Sequence, residues 1–187
     1  MIQMEAEMAK PKPGHNGRDS NNQQEASAVD LLRQGTEALH QGQLDEAVRL
    51  LEHSYNLDNT NHDTALNLGG AYILAKNYAK AITILEALSK SESENPMVWT
   101  NLGAAYLGDP DEAEDKDQQR AIAAFEQAIE LDPLAPNVAY NLGLIYRDRQ
   151  DNGNALHWFK RALEADPNDK DAKHYIEQLT KTDSTED

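Results

Sequence analysis

Apolar residues recur along the chain at helical spacing, in stretches that come in pairs. The stretch from Leu44 to Leu57 is typical, because its apolar residues fall three or four positions apart and make one broad helical face. A similar stretch runs from Ser27 to His40, and Gly42 separates the two. The pattern predicts three further helix pairs, over 62–76 and 78–89, 96–107 and 117–131, and 136–149 and 152–165. A last amphipathic stretch, 169–180, stands alone and is suited to cover the end of the row.

Residues at the predicted helix starts suit that position. Ser27 begins a sequence that resembles a capping box, with aspartate in place of the usual glutamate. Asn95 and Asn168 can each accept hydrogen bonds from the first free N–H groups of the helix that follows. Pro96 and Pro136 fall in predicted first turns, where proline lacks only an N–H that would be unpaired anyway. These local signals agree with the boundaries that the apolar pattern predicts.

Two independent residue markers repeat with one period. A helical glycine recurs at Gly35, Gly69, Gly103 and Gly143, so the steps are 34, 34 and 40 residues. An alanine that opens an apolar run recurs at Ala47, Ala81, Ala121 and Ala155, with steps of 34, 40 and 34. The longer step places an insertion near 108–117, and a fixed period of this length indicates a repeat array. The predicted repeats cover 28–61, 62–95, 96–135 and 136–169.

The repeated glycines carry a cost that packing has to justify. Glycine inside a helix is less stable than alanine by roughly 1 kcal/mol. Its recurrence at one register implies a steric need, which we interpret as close approach of the second helix of the pair. The recurring alanines are predicted to face the same contact.

The third repeat carries the fullest set of recurring residues, namely Trp99, Leu102, Gly103, Tyr106, Ala121, Phe125, Ala128 and Pro133. This set resembles the tetratricopeptide repeat, a helix–turn–helix unit. The first repeat departs furthest from it, with Ala38 where the family has tyrosine. The resemblance implies an all-α fold, a right-handed α-solenoid of four such repeats over residues 27–181, closed by the C-terminal helix. Residues 1–26 and 182–187 are polar and are predicted to be disordered tails.

Charge and composition narrow the class of partner. The chain carries 17 basic and 33 acidic residues, a formal net charge of −16. A surface of this sign disfavours nucleic acid and anionic membranes, because both present negative charge. The absence of cysteine excludes disulfides, thiol catalysis and cysteine zinc sites. No apolar run approaches the roughly 20 residues of a membrane span, so we expect a soluble cytoplasmic protein without membrane insertion.

No arrangement of side chains in the sequence suggests catalysis or a bound cofactor. It contains no nucleophile–histidine–acid order, glycine-rich phosphate loop or paired histidines at metal-binding spacing. The acidic insertion begins like a calcium loop at Asp109 and Asp111. However, Ala113, Glu114 and Arg120 occupy positions that need a ligand, a glycine and a glutamate. We therefore predict no enzyme activity, no cofactor and no metal site, and expect the acidic residues to favour the start of the next helix.

The resemblance implies that the first helix of each pair lines a concave surface on which partner proteins bind. One register there repeats an asparagine, whose amide donates and accepts at once and can pair with a ligand backbone. The simpler alternative is that asparagine is only the family's common residue at this register. The predicted partner-binding residues are Arg33, Asn67, Asn101 and Asn141 at this register, with Leu32, Leu66, Ile73, Leu74, Met97, Thr100, Tyr140, Leu144 and Arg147 around it.

The same resemblance bears on the kind of ligand. One version of the family binds the C-terminal carboxylate of chaperone tails with lysines, an arginine and asparagines. Leu32, Met97 and Asn101 stand here where that clamp needs basic side chains, which disfavours a chaperone tail. The predicted groove is neutral and rather apolar, which favours an apolar or amphipathic segment of another protein.

Two hypotheses of function follow from the sequence. The first is a non-enzymatic adaptor or scaffold that binds a peptide or helix of a partner protein. The second is self-assembly into a homo-oligomer, which an apolar outer face on the first repeat would favour. A separate question concerns Met1, Met4 and Met8, which are at helical spacing. They belong either to a frayed terminus or to a tethered segment that docks in the protein's own groove.

Overall fold

The computed structural model describes residues 26–109, 113–135 and 137–183, and within these ranges the chain forms nine α-helices and no strand. The helices are α1 (Ala28–His40), α2 (Leu44–Leu57), α3 (His62–Leu74), α4 (Tyr78–Ser91), α5 (Pro96–Leu107), α6 (Asp115–Leu131), α7 (Val138–Asp148), α8 (Asn152–Ala165) and α9 (Lys170–Asp183). Their order and pairing agree with the elements that the apolar pattern predicts.

Two of the predicted helix starts are confirmed by their hydrogen bonds. The Ser27 hydroxyl accepts from the Asp30 N–H and donates to the Asp30 carboxylate, as in a capping box. The Asn95 side chain accepts from the Met97 N–H, and Pro96 lies in the first turn of α5. Local sequence signals therefore define the beginnings of α1 and α5.

The last helix differs from its prediction at both ends. Asp169 is its capping residue rather than Asn168, because the Asp169 carboxylate accepts from the N–H groups of Asp171 and Ala172. Asn168 instead donates its own N–H to Asp166 in the preceding turn. The helix continues to Asp183, into the range predicted as a disordered tail.

Other boundaries shift by a turn or less. Helix α7 begins at Val138, whereas its predicted start at Pro136 lies outside the described residues, as do residues 1–25 and 184–187 of the predicted tails. Helix α3 ends at Leu74, and α4 continues to Ser91. Ala26, predicted as part of the tail, packs against the core of the first pair. Shifts of this size are usual where helix ends fray.

Successive helix pairs stack into an all-α solenoid. Helix α1 packs on α2, α3 on α4, α5 on α6 and α7 on α8, and each second helix also packs on the next first helix. Helix α3 contacts both α1 and α5, so the first helices of three pairs adjoin. Leu51, Leu85 and Ala124, from three different second helices, belong to one buried cluster. The core therefore runs between repeats, and α9 packs on α8 at the end of the array.

The repeated glycines allow the two helices of each pair to approach closely, as predicted. A Cβ added at Gly103 would lie 2.5 Å from Phe125 Cε1, and one at Gly143 would lie 2.7 Å from Phe159 Cδ1. Both phenylalanines are fully buried. In the first two repeats a leucine occupies the phenylalanine's place, with Gly35 against Leu51 and Gly69 against Leu85.

Tyrosines of the first helices reach back to glutamates of the preceding repeat. The Tyr72 hydroxyl donates to Glu52 Oε1 at 2.5 Å, and Lys80 Nζ lies 3.0 Å from the same oxygen. Burial, and then the bond to Glu52, raises the pKa of Tyr72, while the same bond lowers the pKa of Glu52. Tyr106 and Glu86 repeat the contact at 2.8 Å, with an arginine in place of the lysine. These bonds connect the second pair to the first and the third pair to the second.

The glycine contact predicts the effect of a single added methyl group. Gly103→Ala should lower the free energy of unfolding by about 1–2 kcal/mol, because strain against Phe125 exceeds the gain in helix propensity. Urea unfolding followed by circular dichroism measures this change. Gly153→Ala in α8 is the control, since an added Cβ there meets only Asp151 Oδ1 at 3.8 Å. An increase in stability for Gly103→Ala would contradict the packing account.

Candidate protein-binding groove

The adjoining first helices α1, α3 and α5 form a groove of about 370 Å³. We call it the α1–α3–α5 groove, and it is lined by Leu39, His40, Leu66, Asn67, Gly70, Ile73, Leu74, Met97 and Asn101. Six of these were predicted as partner-binding residues. None of the described lining residues is Lys, Arg, Asp or Glu, so the groove is neutral although the chain is strongly acidic.

Two large apolar side chains in the groove are left exposed by the packing of the array. Leu74 is 66% exposed and Met97 is 59% exposed, although both belong to helices whose other faces are buried. Neighbouring Leu66 and Ile73 are half-buried and pack against the core beneath. Exposed apolar side chains that line one concave surface are typical of a protein-binding site.

The two asparagines in the groove are in different hydrogen-bonding states. Asn67 Nδ2 donates to Thr36 Oγ1 at 3.0 Å, and the Thr36 hydroxyl donates to the Leu32 carbonyl at 2.8 Å. This chain of bonds ties α3 to α1. The Asn101 side chain makes no hydrogen bond with any of the described residues. Its donor and acceptor are therefore available to a ligand in the groove.

Gly70 has no packing role comparable to that of its neighbour Gly69. A Cβ at Gly69 would lie 2.7 Å from Leu85 Cδ2, whereas one at Gly70 would meet only Asn101 Nδ2, at an ordinary 3.7 Å. Both glycines lie inside α3, where each costs roughly 1 kcal/mol relative to alanine. The fold explains this cost at Gly69 and does not explain it at Gly70.

Three predicted residues lie beside the α1–α3–α5 groove without lining it. Leu32 packs against the core, and the Thr100 hydroxyl donates to the Pro96 carbonyl within its own helix. Arg33 is exposed and lies with Glu37 and Glu46 at a shallow depression between α1 and α2. Arg33 therefore lines a different depression from the groove that Asn67 and Asn101 line.

The fourth repeat contributes a separate surface, which α9 partly covers. The Tyr175 ring of α9 stacks on Phe159 with centroids 4.9 Å apart, and it lies 6.3 Å from the ring of Tyr140. The Arg147 guanidinium lies 4.8 Å from the centroid of Tyr175, and Leu144 packs against the same cluster. Burial is the main cause that raises the pKa of Tyr140. Tyr140 and Arg147 thus contact the capping helix, and none of the four predicted residues of this repeat lines the α1–α3–α5 groove.

The repeat period could have predicted that α9 covers the fourth repeat. Tyr175 lies 34 residues after Asn141, so α9 presents an aromatic ring at the register where the first helices have asparagine. Asn141 itself is half-buried beside Tyr140. An extension of the repeat register into α9 would have predicted that the concave surface closes at its C-terminal end.

The acidic insertion is tied to neighbouring helices where the structure describes it. Arg149 Nη2 lies 2.5 Å from Asp115 Oδ1, and Lys76 Nζ lies 3.1 Å from Asp109 Oδ2. Asp115 and Asp117 lie in the first turn of α6, where negative charge is favourable, as predicted. Across 26–109, 113–135 and 137–183, no group of three or more potential ligands is placed to hold a metal ion. Nor does any helix in those ranges combine the length and apolarity that crossing a membrane requires.

Comparison with known families identifies the class to which this fold belongs. Models of the tetratricopeptide repeat match residues 38–105 and 115–170, which together make up more than half of the chain. The chain belongs to the tetratricopeptide repeat family. No curated protein sequence matches it significantly.

Several known structures share the fold at low sequence identity. TTC0263, a thermophilic tetratricopeptide repeat protein of Thermus thermophilus, is 17% identical with a TM-score of 0.70, over 83% of this chain and 82% of that one. MamA from Desulfovibrio magneticus is 22% identical with a TM-score of 0.65, over 77% and 78%. A chain of the APC/C hetero-tetramer Cut9–Hcn1 is 23% identical with a TM-score of 0.71, over 82% and 30%. At these identities the likeness shows the fold alone.

The open space around Gly70 predicts a stabilising substitution. In a chain shortened to begin at Ala26, Gly70→Ala should raise the free energy of unfolding by about 0.5–1 kcal/mol, because alanine is the better helix former and the added Cβ meets no clash among the described residues. The urea midpoint measured beside that of Gly69→Ala provides the comparison, since Gly69→Ala should be destabilising. A loss of stability for Gly70→Ala would mean that the fold itself requires this glycine.

Proposed function

We propose that this chain is a non-enzymatic protein-binding module that holds an apolar or amphipathic segment of a partner protein in the α1–α3–α5 groove. The observation that carries the proposal is that two large apolar side chains, Leu74 and Met97, are exposed in a neutral groove that stacking leaves open. The family supports it, because tetratricopeptide repeats form stacked arrays with extended concave surfaces suited to binding.

The groove offers enough apolar area for a useful affinity. Complete burial of a leucine or methionine side chain contributes about 1.5–3 kcal/mol. The exposed fractions of Leu74 and Met97 therefore correspond to roughly 2–4 kcal/mol between them, before the costs of association are subtracted. Leu39, Leu66 and Ile73 extend the apolar lining along the groove. This is a suitable surface for an amphipathic helix that presents several apolar side chains on one face.

The Asn101 amide, which has no hydrogen-bond partner among the described residues, can determine the orientation in which a ligand binds. A ligand backbone or polar side chain that crosses the groove can donate to Oδ1 and accept from Nδ2. Asn67 uses its donor on Thr36 and keeps Oδ1 as an acceptor. Two amides in an otherwise apolar groove fix the register of a ligand that apolar contacts alone would leave free to slide.

The charge of the groove favours this ligand over a chaperone-type C-terminal carboxylate. A free carboxylate needs basic side chains around it. The described residues that line the groove include no lysine or arginine. Arg33, which shares the register of Asn67 and Asn101, lines the depression between α1 and α2 instead. An apolar segment therefore fits the groove better than an anionic tail.

The outer surface of the first pair favours a binding module over self-assembly. Gln34 and Ala38 occupy the registers at which the next repeat has Leu68 and Tyr72. Gln34, Glu37 and Gln41 are exposed there, so the pair presents polar groups to solvent in the part of the chain that the structure describes. A terminal repeat with a polar outer face acts as a cap rather than as an interface.

A matched pair of leucines tests the proposal. Leu74 is the last residue of α3 and Leu57 is the last residue of α2, and they are 66% and 55% exposed. Leu74→Lys should reduce capture of the partner from a lysate of the source cells at least about tenfold. The reason is that burial of an unpaired charge beneath a bound ligand has a large free-energy cost. Leu57→Lys should leave the captured set unchanged, as quantified by mass spectrometry. If both variants retain the same proteins as the native sequence, the groove is not the binding site.

A further inference from the structure

The one groove glycine that the fold does not use points to close approach of a second backbone. Glycine is favoured where a neighbouring chain passes too near a helix for a Cβ to be accommodated. Gly70 lies between Asn67 and Asn101, which are the groove's two amides, and only Asn101 Nδ2 comes near its missing Cβ. The low helix propensity of glycine therefore destabilises α3 at the point where a ligand would pass between α3 and α5.

The chain itself contains a segment with the chemistry that the groove requires. Met1, Met4 and Met8 are at helical spacing, so in a helix over residues 1–9 they would fall on one side and Gln3 and Ala6 on the opposite side. Methionine is unbranched and flexible, so it fits an irregular apolar surface such as that made by Leu74 and Met97. The segment thus offers apolar side chains to a groove that lacks charge.

The connection between this segment and the array is long enough to reach the groove. About 18 residues separate Met8 from Ala26, and a chain of that length can span at most roughly 59 Å when fully extended. Helix α1 rises about 18 Å from Ala28 to His40, and His40 lines the groove. The chain between Met8 and Ala26 is therefore long enough for the segment to reach the groove.

We propose that residues 1–9 of the chain occupy its own α1–α3–α5 groove as a helix, with Met4 and Met8 against the apolar side chains that line it and the backbone crossing α3 at Gly70. A partner then binds only by displacing this segment. This inference rests on the proposed function, because it assigns a regulator to the same groove. With a tether at an effective concentration on the order of 1 mM, a segment of intrinsic Kd near 0.1 mM would weaken partner binding roughly tenfold.

The small number of methionines makes the proposal directly measurable. The chain has four, of which three lie in the segment and Met97 lies in the groove, so methyl-labelled methionine gives four resolvable NMR signals. In the full chain we expect nuclear Overhauser contacts between the Met97 methyl and those of Met4 or Met8. Met4→Glu with Met8→Glu should abolish docking and shift the Met97 signal. A synthetic peptide of native residues 1–9, added to that variant, should return the signal to its original position.

A control of equal charge separates docking from a general electrostatic effect. Gln3→Glu with Ala6→Glu adds the same charge to the opposite side of the predicted helix and should leave the Met97 signal unchanged. Absence of contacts to Met97, or an unchanged signal in the Met4/Met8 variant, would overturn the proposal. Contacts that weaken on dilution would also overturn it, since the segment would then come from a second copy. If Leu74→Lys abolishes partner capture while the NMR result is negative, the proposed function stands. Only the proposal that residues 1–9 occupy the groove is then rejected.

Discussion

Close approach of the two helices within each pair is the constraint on which the rest of the structure depends. At Gly103 and Gly143 the absent Cβ makes room for a fully buried phenylalanine of the partner helix. This contact sets the spacing between the two helices of a repeat. A corresponding contact recurs in every repeat, because the glycine recurs at the same register. Because each pair has too little core of its own, neighbouring pairs must stack, and Tyr72 and Tyr106 link successive pairs through glutamates of the preceding repeat.

Stacking buries only one side of each first helix. The side that stays open determines where binding is favoured. The face of α3 that carries Gly69 is occupied by α4, while the face that carries Gly70 is open. Leu74 and Met97 remain exposed on that open side. At the other end of the array α9 contacts Tyr140 and Arg147, so the apolar surface is concentrated on the first three repeats.

The sequence was sufficient for the features that depend on period and local chemistry. Helix pairing, the packing role of Gly103 and the caps at Ser27 and Asn95 all follow from residue types at regular spacing. The family assignment followed from the same positions. The placement of Asn67, Asn101 and Met97 on adjoining helices also follows from the register, since residues one period apart lie side by side in a stacked array.

Other features depend on contacts between side chains that no local pattern specifies. The choice of Asp169 over Asn168 as a cap depends on which of two adjacent polar residues lies one turn before the free N–H groups. The cover over Tyr140 and Arg147 arises because Tyr175 stacks on Phe159, a contact between α8 and α9 that is formed only in three dimensions. Arg33 shares the asparagine register, but its long charged side chain lies with Glu37 and Glu46 rather than in the groove.

The most direct test of the account is to record what contacts the groove in the intact cell. A photoreactive benzoylphenylalanine at position 97 can be compared with one at position 134, since Met97 and Leu134 are similarly exposed, at 59% and 55%. The account predicts that irradiation links position 97 to a partner protein or to residues 1–9 of the same chain, while position 134 yields no specific product. Equal yields of the same products from both positions, or products from position 134 alone, would contradict it.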